Sequence, residues 1–381
     1  MSKIQWLAVL AIAAAQPILT GCGPTQAQID PRNVADLKMR PGNGQALFCP
    51  GTAFAVEFVA KLKDGTTCSN LNADSGCMNK KDTVIDPTVL RLSGSNGQVQ
   101  GQGWVTDRDP LKTADTGVRL RGWLEQVING QNLKSMETEM EMKPVYDCME
   151  NASFQPSNGR DDGTNGAAGA AITIAITSLS TPFYPDAALV RIESGTMREY
   201  YVSPSADKPI RITAAGQPGA RGRTGAAGAD GRNGDAAPGE CKNGTDGTDG
   251  TAGGPGGKGG DGGAGATIKV ILDDTNPDKL KGRLLIANPG GAAGEGGYGG
   301  PGGHGGVGGA AGAKPAQNPP ADCNPQAGRS GANGANGPNG ARGNQGATGP
   351  APTFENGKRQ TVWANELQAL QRIEGSGGKP K

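Results

Sequence analysis

Glycine stands at every third position over four long segments in the second half of the chain. The segment GGAAGEGGYGGPGGHGGVGGAAG shows the pattern most clearly, because a second glycine accompanies the periodic one in most of its triplets. A period of three fits neither the α-helix nor the β-strand, but it matches polyproline II, which has three residues per turn. We name the segments run one (216–234), run two (244–265), run three (290–312) and run four (328–349).

A helix of this type makes no internal hydrogen bonds, so its buried main-chain groups need partners on neighbouring helices. Three assemblies are open: an intramolecular bundle of polyglycine II helices, a short collagen-like trimer, and largely disordered runs. We expect the bundle. The runs are poor in proline, and their Gly-Gly-X triplets offer two edges for close contact. In addition, Cys241 and Cys323 lie in connections that an up-and-down arrangement brings to the same end.

The distribution of the second glycine predicts an order within the bundle. Run three and the second half of run two (253–265) are Gly-Gly-X, so two of their three edges accept a close neighbour. Runs one and four are Gly-X-Y and offer only one such edge. We therefore expect runs two and three at the centre and runs one and four at the flanks.

The segments that flank the runs have the composition of β-strands. Runs two and three are joined by ATIKVILDDTNPDKLKGRLLIANP (266–289), in which two β-rich stretches surround an Asp/Asn/Pro turn. This pattern predicts a β-hairpin. AAITIAITSL and PIRITAAG precede run one in a similar way. The expected fold is therefore mainly β, with β-hairpins extended into an antiparallel glycine-rich bundle (216–352).

The first residues predict an exported lipoprotein. A positively charged start and a short apolar stretch are typical of a signal peptide (1–21). The sequence Leu19-Thr20-Gly21-Cys22 then resembles the lipobox of bacterial lipoproteins. The resemblance implies acylation of Cys22 and a lipid anchor in the membrane; a signal peptide with a chance cysteine is the alternative. Because Gly23 is not the aspartate that retains such lipoproteins in the inner membrane, the resemblance favours the outer membrane of a bacterial cell envelope, with the protein facing the periplasm or the surface.

Six further cysteines, an even number, predict disulfides in an exported chain, although six allow fifteen pairings. Cys68 and Cys77 bracket a short polar loop and are expected to pair locally, which leaves Cys49 and Cys148 to join the two ends of one domain. Cys241 is expected to pair with Cys323. We predict no metal site and no cofactor, because no Cys-x-x-Cys is present and His304 is the only histidine.

Residues 22–44 are expected to form a flexible tether, because they are rich in Pro, Gln, Asn and Gly. Residues 45–150 alternate with a period of two, as in Phe54, Val56 and Phe58, and predict a β-sandwich that is immunoglobulin-like at the level of architecture. A β-rich connector (151–215) would follow, and a polar segment (353–381) would end the chain.

Two features of residues 45–150 have both a binding and a structural interpretation. Asp107, Asp109 and Asp115 form either a calcium loop or, as we expect, a solvated polar loop. Trp104 and Trp123 form either a sugar-stacking platform or part of the core, and we expect the core.

The sequence contains no recognisable catalytic motif, so we predict no enzyme. Its 37 lysine and arginine residues nearly balance 36 aspartate and glutamate residues, which argues against nucleic acid as a partner. Residues 160–352 resemble the bacterial glycine-rich, collagen-like surface proteins, in which strand pairs alternate with glycine runs. The resemblance implies a stalk, an adhesin or a matrix component.

We therefore expect a lipid-anchored surface protein with a structural or adhesive stalk-like role. The alternative is an adhesin that binds an envelope polysaccharide or another surface protein. In that case Glu295, Tyr298 and His304 are the candidate contacts, because they lie with Pro301 and Val307 along one edge of run three, about 9 Å apart.

Overall fold

The computed structural model describes residues 24–73, 77–156 and 162–377. The chain is mainly β, as the sequence predicts, and it divides into two compact units. The described part of the first unit comprises residues 24–46, 53–105 and 119–141, and the second unit comprises 47–52, 106–118 and the described residues from 142 onward. The predicted signal peptide and Cys22 lie outside the described residues.

Short strands and a few short helices make up the regular structure. The strands are β1 (Thr25–Ala27), β2 (Val34–Pro41), β3 (Leu47–Phe48), β4 (Ala53–Leu62), β5 (Thr67–Ser69), β6 (Thr83–Ile85), β7 (Leu90–Gly94), β8 (Gly97–Gln100), β9 (Gly103–Thr106), β10 (Val118–Ile128), β11 (Gln131–Lys134), β12 (Thr138–Pro144), β13 (Asn151–Phe154), β14 (Ile172–Leu179), β15 (Ala187–Ser194), β16 (Met197–Ser203), β17 (Ile210–Ala214), β18 (Ile268–Asp273), β19 (Leu284–Ala287) and β20 (Thr353–Gly357). The helices are α1 (Pro110–Thr113), α2 (Pro277–Lys281), α3 (Arg359–Val362) and α4 (Leu367–Gly377), and 3-10 turns occur at Pro31–Asn33, Cys77–Asn79, Pro87–Val89 and Asp147–Met149.

The core of the first unit forms where alternating apolar side chains of its sheets meet. One sheet has the order β2-β4-β9-β8, with β5 also paired to β4, while β10 pairs with β7 and β11. Val56 and Phe58 of β4 are buried, as their alternation predicts. Gly122 of β10 lies so close to Met39 and Phe58 that a Cβ there would overlap both side chains.

The prediction of a flexible tether at 22–44 is wrong for its described part. β1 pairs in parallel with β6, and β2 pairs with β4 in antiparallel register from Val34 to Pro41. Leu37 and Met39 are buried, whereas Asp36 and Lys38, which alternate with them, are not. This short alternation gives β2 an apolar face, and burial of that face outweighs the polar composition of the segment.

The second unit has a core between two sheets. One has the order β16-β15-β14-β18-β20, and the other has three parallel strands, β13-β17-β19. Ile174 and Val270 of the first sheet and Ile212 of the second are fully buried in one cluster. Residues 151–215, predicted as a connector, therefore contain most of this core. The observed division also differs from the predicted boundary at residue 150, because residues 47–52, 106–118 and 142–150 belong to the second unit.

The predicted hairpin at 266–289 is also wrong. β18 pairs in parallel with β14 and β20, whereas β19 pairs in parallel with β17 in the other sheet. Between them Pro277 begins α2, where a missing N–H costs nothing, and Leu280 of that helix is buried. The segment that was expected to be a tight turn is therefore a helical crossover between two sheets.

The last described residues are part of the core, so the prediction of a polar segment at 353–381 is wrong for residues 353–377. β20 pairs with β18, and Trp363, Leu370 and Ile373 are fully buried. Leu370 and Ile373 lie three residues apart on one face of α4, and Trp363 directly follows the end of α3. Charged residues lie between these buried residues, so the overall composition of the segment is polar.

Candidate functional surface of the glycine-rich segments

The glycine-rich segments lie side by side and are joined by main-chain hydrogen bonds. Each segment continues a strand of the second unit: run two leads into β18, run four into β20, and β17 and β19 lead into runs one and three. Runs one and three are parallel to each other and antiparallel to runs two and four. The stretch 163–169, here called the leading segment, enters β14 and bonds to runs one and two.

Among the four runs, runs two and three each bond to the three others, whereas runs one and four each bond to only two. Gly303 of run three donates to the carbonyl of Thr251 in run two at 2.9 Å and accepts from Gly334 of run four at 2.8 Å. The carbonyl of His304 accepts from Gly231 of run one at 2.7 Å. Run two bonds in the same way to runs one, three and four, whereas no main-chain hydrogen bond joins run one to run four in the described residues.

Polar side chains supply acceptors for main-chain N–H groups that no carbonyl reaches. Asn336 of run four accepts from the N–H of Gly302 at 3.0 Å, and Asp230 of run one accepts from the N–H of His304 at 2.7 Å. We call this set the acceptor ladder. Its members are Asn165, Asp230, Asn233, Asn243, Thr245, Asp246, Thr248, Asp249, Thr251, Asp261, Ser330, Asn333, Asn336 and Asn339.

The ladder was not predicted, although the sequence carries a signal for it. Asn333, Asn336 and Asn339 recur with the glycine period, and so do Thr245, Thr248 and Thr251. Run one has Asp230 and Asn233 opposite the N–H groups of His304 and Val307. One step earlier in this register, Ala227 stands opposite Pro301, which has no N–H to satisfy.

The carboxylate of Asp261 shows the electrostatic effect of such a position. The main-chain N–H of Asn344 donates to it at 2.8 Å, and this bond is the main reason that its pKa is lowered. Lys258 lies 3.4 Å away and contributes in the same direction. The ladder thus favours the ionised carboxylate at this position, and an ionised carboxylate is the stronger acceptor.

The structure places Glu295, Tyr298 and His304 on one edge of run three, where all three side chains are exposed. Together with Pro301 and Val307 they form the outer row of run three, whose carbonyls all accept from glycines of run one. The exposed fraction is 56 % for Tyr298 and 63 % for Val307. Such exposure of large side chains on a regular edge leaves them free to contact a partner.

Two members of the outer row contact cations of the flanking runs. The guanidinium of Arg221 lies 4.5 Å from the ring centre of Tyr298, and its Nη2 donates to the tyrosine hydroxyl at 3.1 Å. Glu295 forms an ion pair with Arg342 of run four at 3.2 Å. These pairs are exposed and contribute little to stability, but they hold an aromatic ring and two guanidinium groups in one surface.

Three pairs of cysteines lie at disulfide distance, and they match the predicted pairs. The Cα atoms are 6.3 Å apart in Cys49–Cys148, 4.4 Å apart in Cys68–Cys77 and 4.9 Å apart in Cys241–Cys323. The last pair joins the connection between runs one and two to that between runs three and four. It therefore cross-links the end of the runs that lies away from the sheets.

The three aspartates near α1 have separate protein partners. Asp107 accepts from Lys112 at 3.1 Å, Asp109 caps α1 through the N–H of Leu111, and Asp115 pairs with Arg372 at 2.9 Å. Across the described ranges, no group of three or more His, Cys, Asp or Glu side chains is placed to hold a metal ion.

The two tryptophans do not form a common platform. Trp104 is only 3 % exposed, in the core of the first unit. The Nζ of Lys134 lies 4.2 Å from the ring centre of Trp123 and covers one face of that half-buried ring. Both observations agree with the structural interpretation of these residues.

A buried carboxylate in the second unit was missed by sequence reasoning. Glu366 accepts from Nη1 of Arg191 at 2.8 Å and from the hydroxyl of Tyr200 at 2.6 Å, and Arg191 also lies 4.8 Å from the ring centre of Trp363. Burial, followed by the contact with Glu366, raises the pKa of Tyr200 to about 12. The cluster joins the C-terminal segment to the sheet. No local pattern points to it, because Glu366 is 175 residues from Arg191 and 166 residues from Tyr200 in the sequence.

The helices in the described ranges are all too short to cross a membrane, which takes about 20 apolar residues. Comparisons of the chain with protein-family models, with characterised proteins and with solved structures found no match.

Proposed function

We propose that the protein is a lipid-anchored surface protein of a bacterial cell envelope, in which the glycine-rich segments form a rigid, stalk-like structural element. In this proposal the runs are polyglycine II helices in an antiparallel bundle, and the first unit is an immunoglobulin-like β-sandwich. The proposal includes no catalytic activity. Cys22 carries the lipid that anchors the protein in the outer membrane.

The observation that carries the proposal is the regular bonding between the runs. Hydrogen bonds within one chain, from the N–H of Gly291 to that of Gly309 and beyond, join run three to run two at every third residue. These bonds support an intramolecular bundle over a collagen-like trimer or disordered runs. Runs of this length span about 60 Å. A bundle so long, with its polar side chains on the outside, is suited to rigid projection rather than to enclosing a substrate.

The flanks of the bundle favour a single chain over lateral polymers. Run four has large polar side chains at exposed positions, such as Arg329 and Gln345, and run one has residues such as Arg232. A further helix would need a glycine edge at these positions. Large polar side chains therefore terminate the array, much as charged residues protect the edge strand of a sheet.

The anchor is tested by Cys22→Ala in the full-length protein. We expect the variant to leave the membrane fraction or to remain unprocessed, because neither acylation nor cleavage at this site is then possible. Cell fractionation and mass spectrometry of the N-terminus measure both effects. Cys68→Ser/Cys77→Ser is the control, since it removes a whole cysteine pair without touching the anchor and leaves no free thiol. If Cys22→Ala remains processed and membrane-bound, the lipoprotein assignment is wrong.

An adhesive role is the second candidate, and the exposed Tyr298 with its stacked Arg221 favours it. The ligand would be an envelope polysaccharide or another surface protein, bound along the outer row of run three. Two variants separate the roles in cells that lack the native protein. If the bundle is purely structural, Tyr298→Ala restores envelope integrity and Gly303→Ala does not. If the row binds a ligand, Tyr298→Ala abolishes cell attachment while the variant protein melts at the native temperature.

A further inference from the structure

Within the described residues, the first strand, β1, begins very close in the sequence to the predicted lipid anchor. Thr25 is three residues from Cys22, and its main-chain N–H donates to the carbonyl of Asp82 at 2.7 Å. Three residues of fully extended chain span at most about 11 Å. The start of β1 is therefore within about 11 Å of the acylated residue, a distance that leaves no room for a tether.

We propose that the edge of the first unit around the start of β1 lies against the lipid headgroups, so that the protein sits on the membrane surface through its first unit. The inference rests on the proposed lipid anchor. We call the surface the basal edge and define it by Met78, Lys80 and Lys81. It is the part of the chain that immediately precedes Asp82, the residue to which Thr25 is bonded.

The side chains of the basal edge suit a headgroup surface. Lys80 and Lys81 are exposed, and Met78 is 48 % exposed although it is a large apolar residue. Lysine side chains lie with their apolar stems along a surface and their ammonium groups at the phosphates, and a neighbouring apolar side chain enters the interface. Anionic lipids attract each lysine further.

The basal edge is also held in a defined shape. The N–H of Lys80 donates to the carbonyl of Cys77 at 3.1 Å, and Cys77 is paired with Cys68 of β5. On the other side, β6 pairs with β1 from Thr83 onward. The disulfide and the strand pair thus fix the lysines relative to the point at which the chain arrives from Cys22. A basic surface fixed beside a lipid anchor adds electrostatic attraction between the first unit and anionic headgroups.

Amine footprinting of the native, acylated full-length protein tests the inference. The protein is reconstituted in vesicles of phosphatidylethanolamine and phosphatidylglycerol, and separately in micelles of a neutral detergent. A membrane-impermeant acylating reagent then labels exposed lysines, which are quantified by mass spectrometry. Lys80 and Lys81 are expected to react about fivefold more slowly in vesicles, the equivalent of about 1 kcal/mol for a lysine near an anionic surface. Lys258 of run two is the internal control and is expected to react equally in both.

The possible results separate the inference from the proposed anchor. If the protein floats with the vesicles but Lys80 and Lys81 react equally in vesicles and micelles, the basal edge is not at the headgroups, and the anchor stands. If Cys22 carries no lipid and the protein does not float, both fail. If protection appears in intact cells but not in pure lipid vesicles, a protein partner covers the edge, and the inference is overturned.

Discussion

Replacing Gly303 with alanine is expected to lower the free energy of unfolding of the second unit by about 3 kcal/mol, because the added methyl group overpacks the contacts between the runs and strains the hydrogen bonds that join them. Gly303 bonds to runs two and four, and a Cβ at this position would overlap the main-chain carbonyl of Ala229 in run one. All three neighbours are main chain, so no side chain can turn away to make room. At least one run must shift.

A shift of one run breaks hydrogen bonds that the runs cannot replace internally. For a unit of this size, the expected loss corresponds to a melting temperature lower by about 6–12 °C. Differential scanning calorimetry of the full-length protein measures it. Gly303→Val is expected to be more severe than Gly303→Ala, since the larger side chain requires a larger separation of the runs.

Two controls separate the overlap from a general effect of substitution. Gly239 lies in the connection between runs one and two, and a Cβ there would meet nothing within 4 Å. Gly239→Ala is therefore expected to be nearly neutral. Ala341→Val adds bulk to an exposed position of run four and is expected to be nearly neutral as well. Equal melting temperatures for Gly303→Ala and Gly239→Ala would show that run three is not enclosed by its neighbours.

Loss of the Cys241–Cys323 pair is expected to have an effect of similar size. The double variant Cys241→Ser/Cys323→Ser removes a cross-link over a sequence separation of 82 residues. In the chain-entropy model, a loop of this length stabilises the native state by about 4.5 kcal/mol. Changing both cysteines together avoids a free thiol and the mixed disulfides that it would form.

The position of the cysteine pair predicts which end of the runs loses stability when the pair is removed. The N–H of Gly312 donates to Lys242, and that of Cys241 donates to Ala313, each next to the cross-link. In hydrogen–deuterium exchange, we expect the double variant to exchange amides at this end faster than the native protein does. Exchange of amides near β19, such as that of Gly294, is expected to change less. Fraying begins at the end where the constraint was removed.

The matched control is Cys68→Ser/Cys77→Ser, which removes a pair separated by only 9 residues in the first unit. It is expected to cost about 2.5 kcal/mol in the same model and to leave exchange in the runs unchanged. If reduction or the double substitution at Cys241 and Cys323 changes neither the melting temperature nor exchange at Gly312, the pair does not hold the bundle together.

Local sequence patterns were sufficient to predict several features of the protein. The glycine period delimited the four runs, because close approach of two main chains excludes side chains from one edge at every turn. Alternation identified β4, since Val56 and Phe58 report burial of one face without reference to the partner strand. The cysteine pairs also followed from the order of the segments. Each of these inferences concerns a requirement of one segment, such as close main-chain contact or burial of one face. Such a requirement is determined by the residues of the segment itself.

Only the tertiary structure decided which strands and side chains each segment packs against. Two apolar stretches around a turn look the same whether they pair with each other or, like β18 and β19, with different sheets; the choice depends on strands that lie far away in the chain. The predictions for residues 25–41 and for Trp363 were wrong because β1 and β2 pair with β6 and β4, and Trp363 packs against Arg191, all of them partners outside the segment itself.

The acceptor ladder likewise depends partly on the local sequence and partly on the tertiary structure. Its Asn, Asp and Thr residues follow the glycine period in the sequence, yet an acceptor has a role only when a donor faces it. Runs two and four are offset by a constant 83 residues, so that Asp246 meets the N–H of Arg329 and Asp249 meets that of Ala332. The glycine period determines that a segment is extended and packs closely against neighbouring main chains. The register, which is set by the folding of the whole second unit, determines which side chain satisfies which main-chain group.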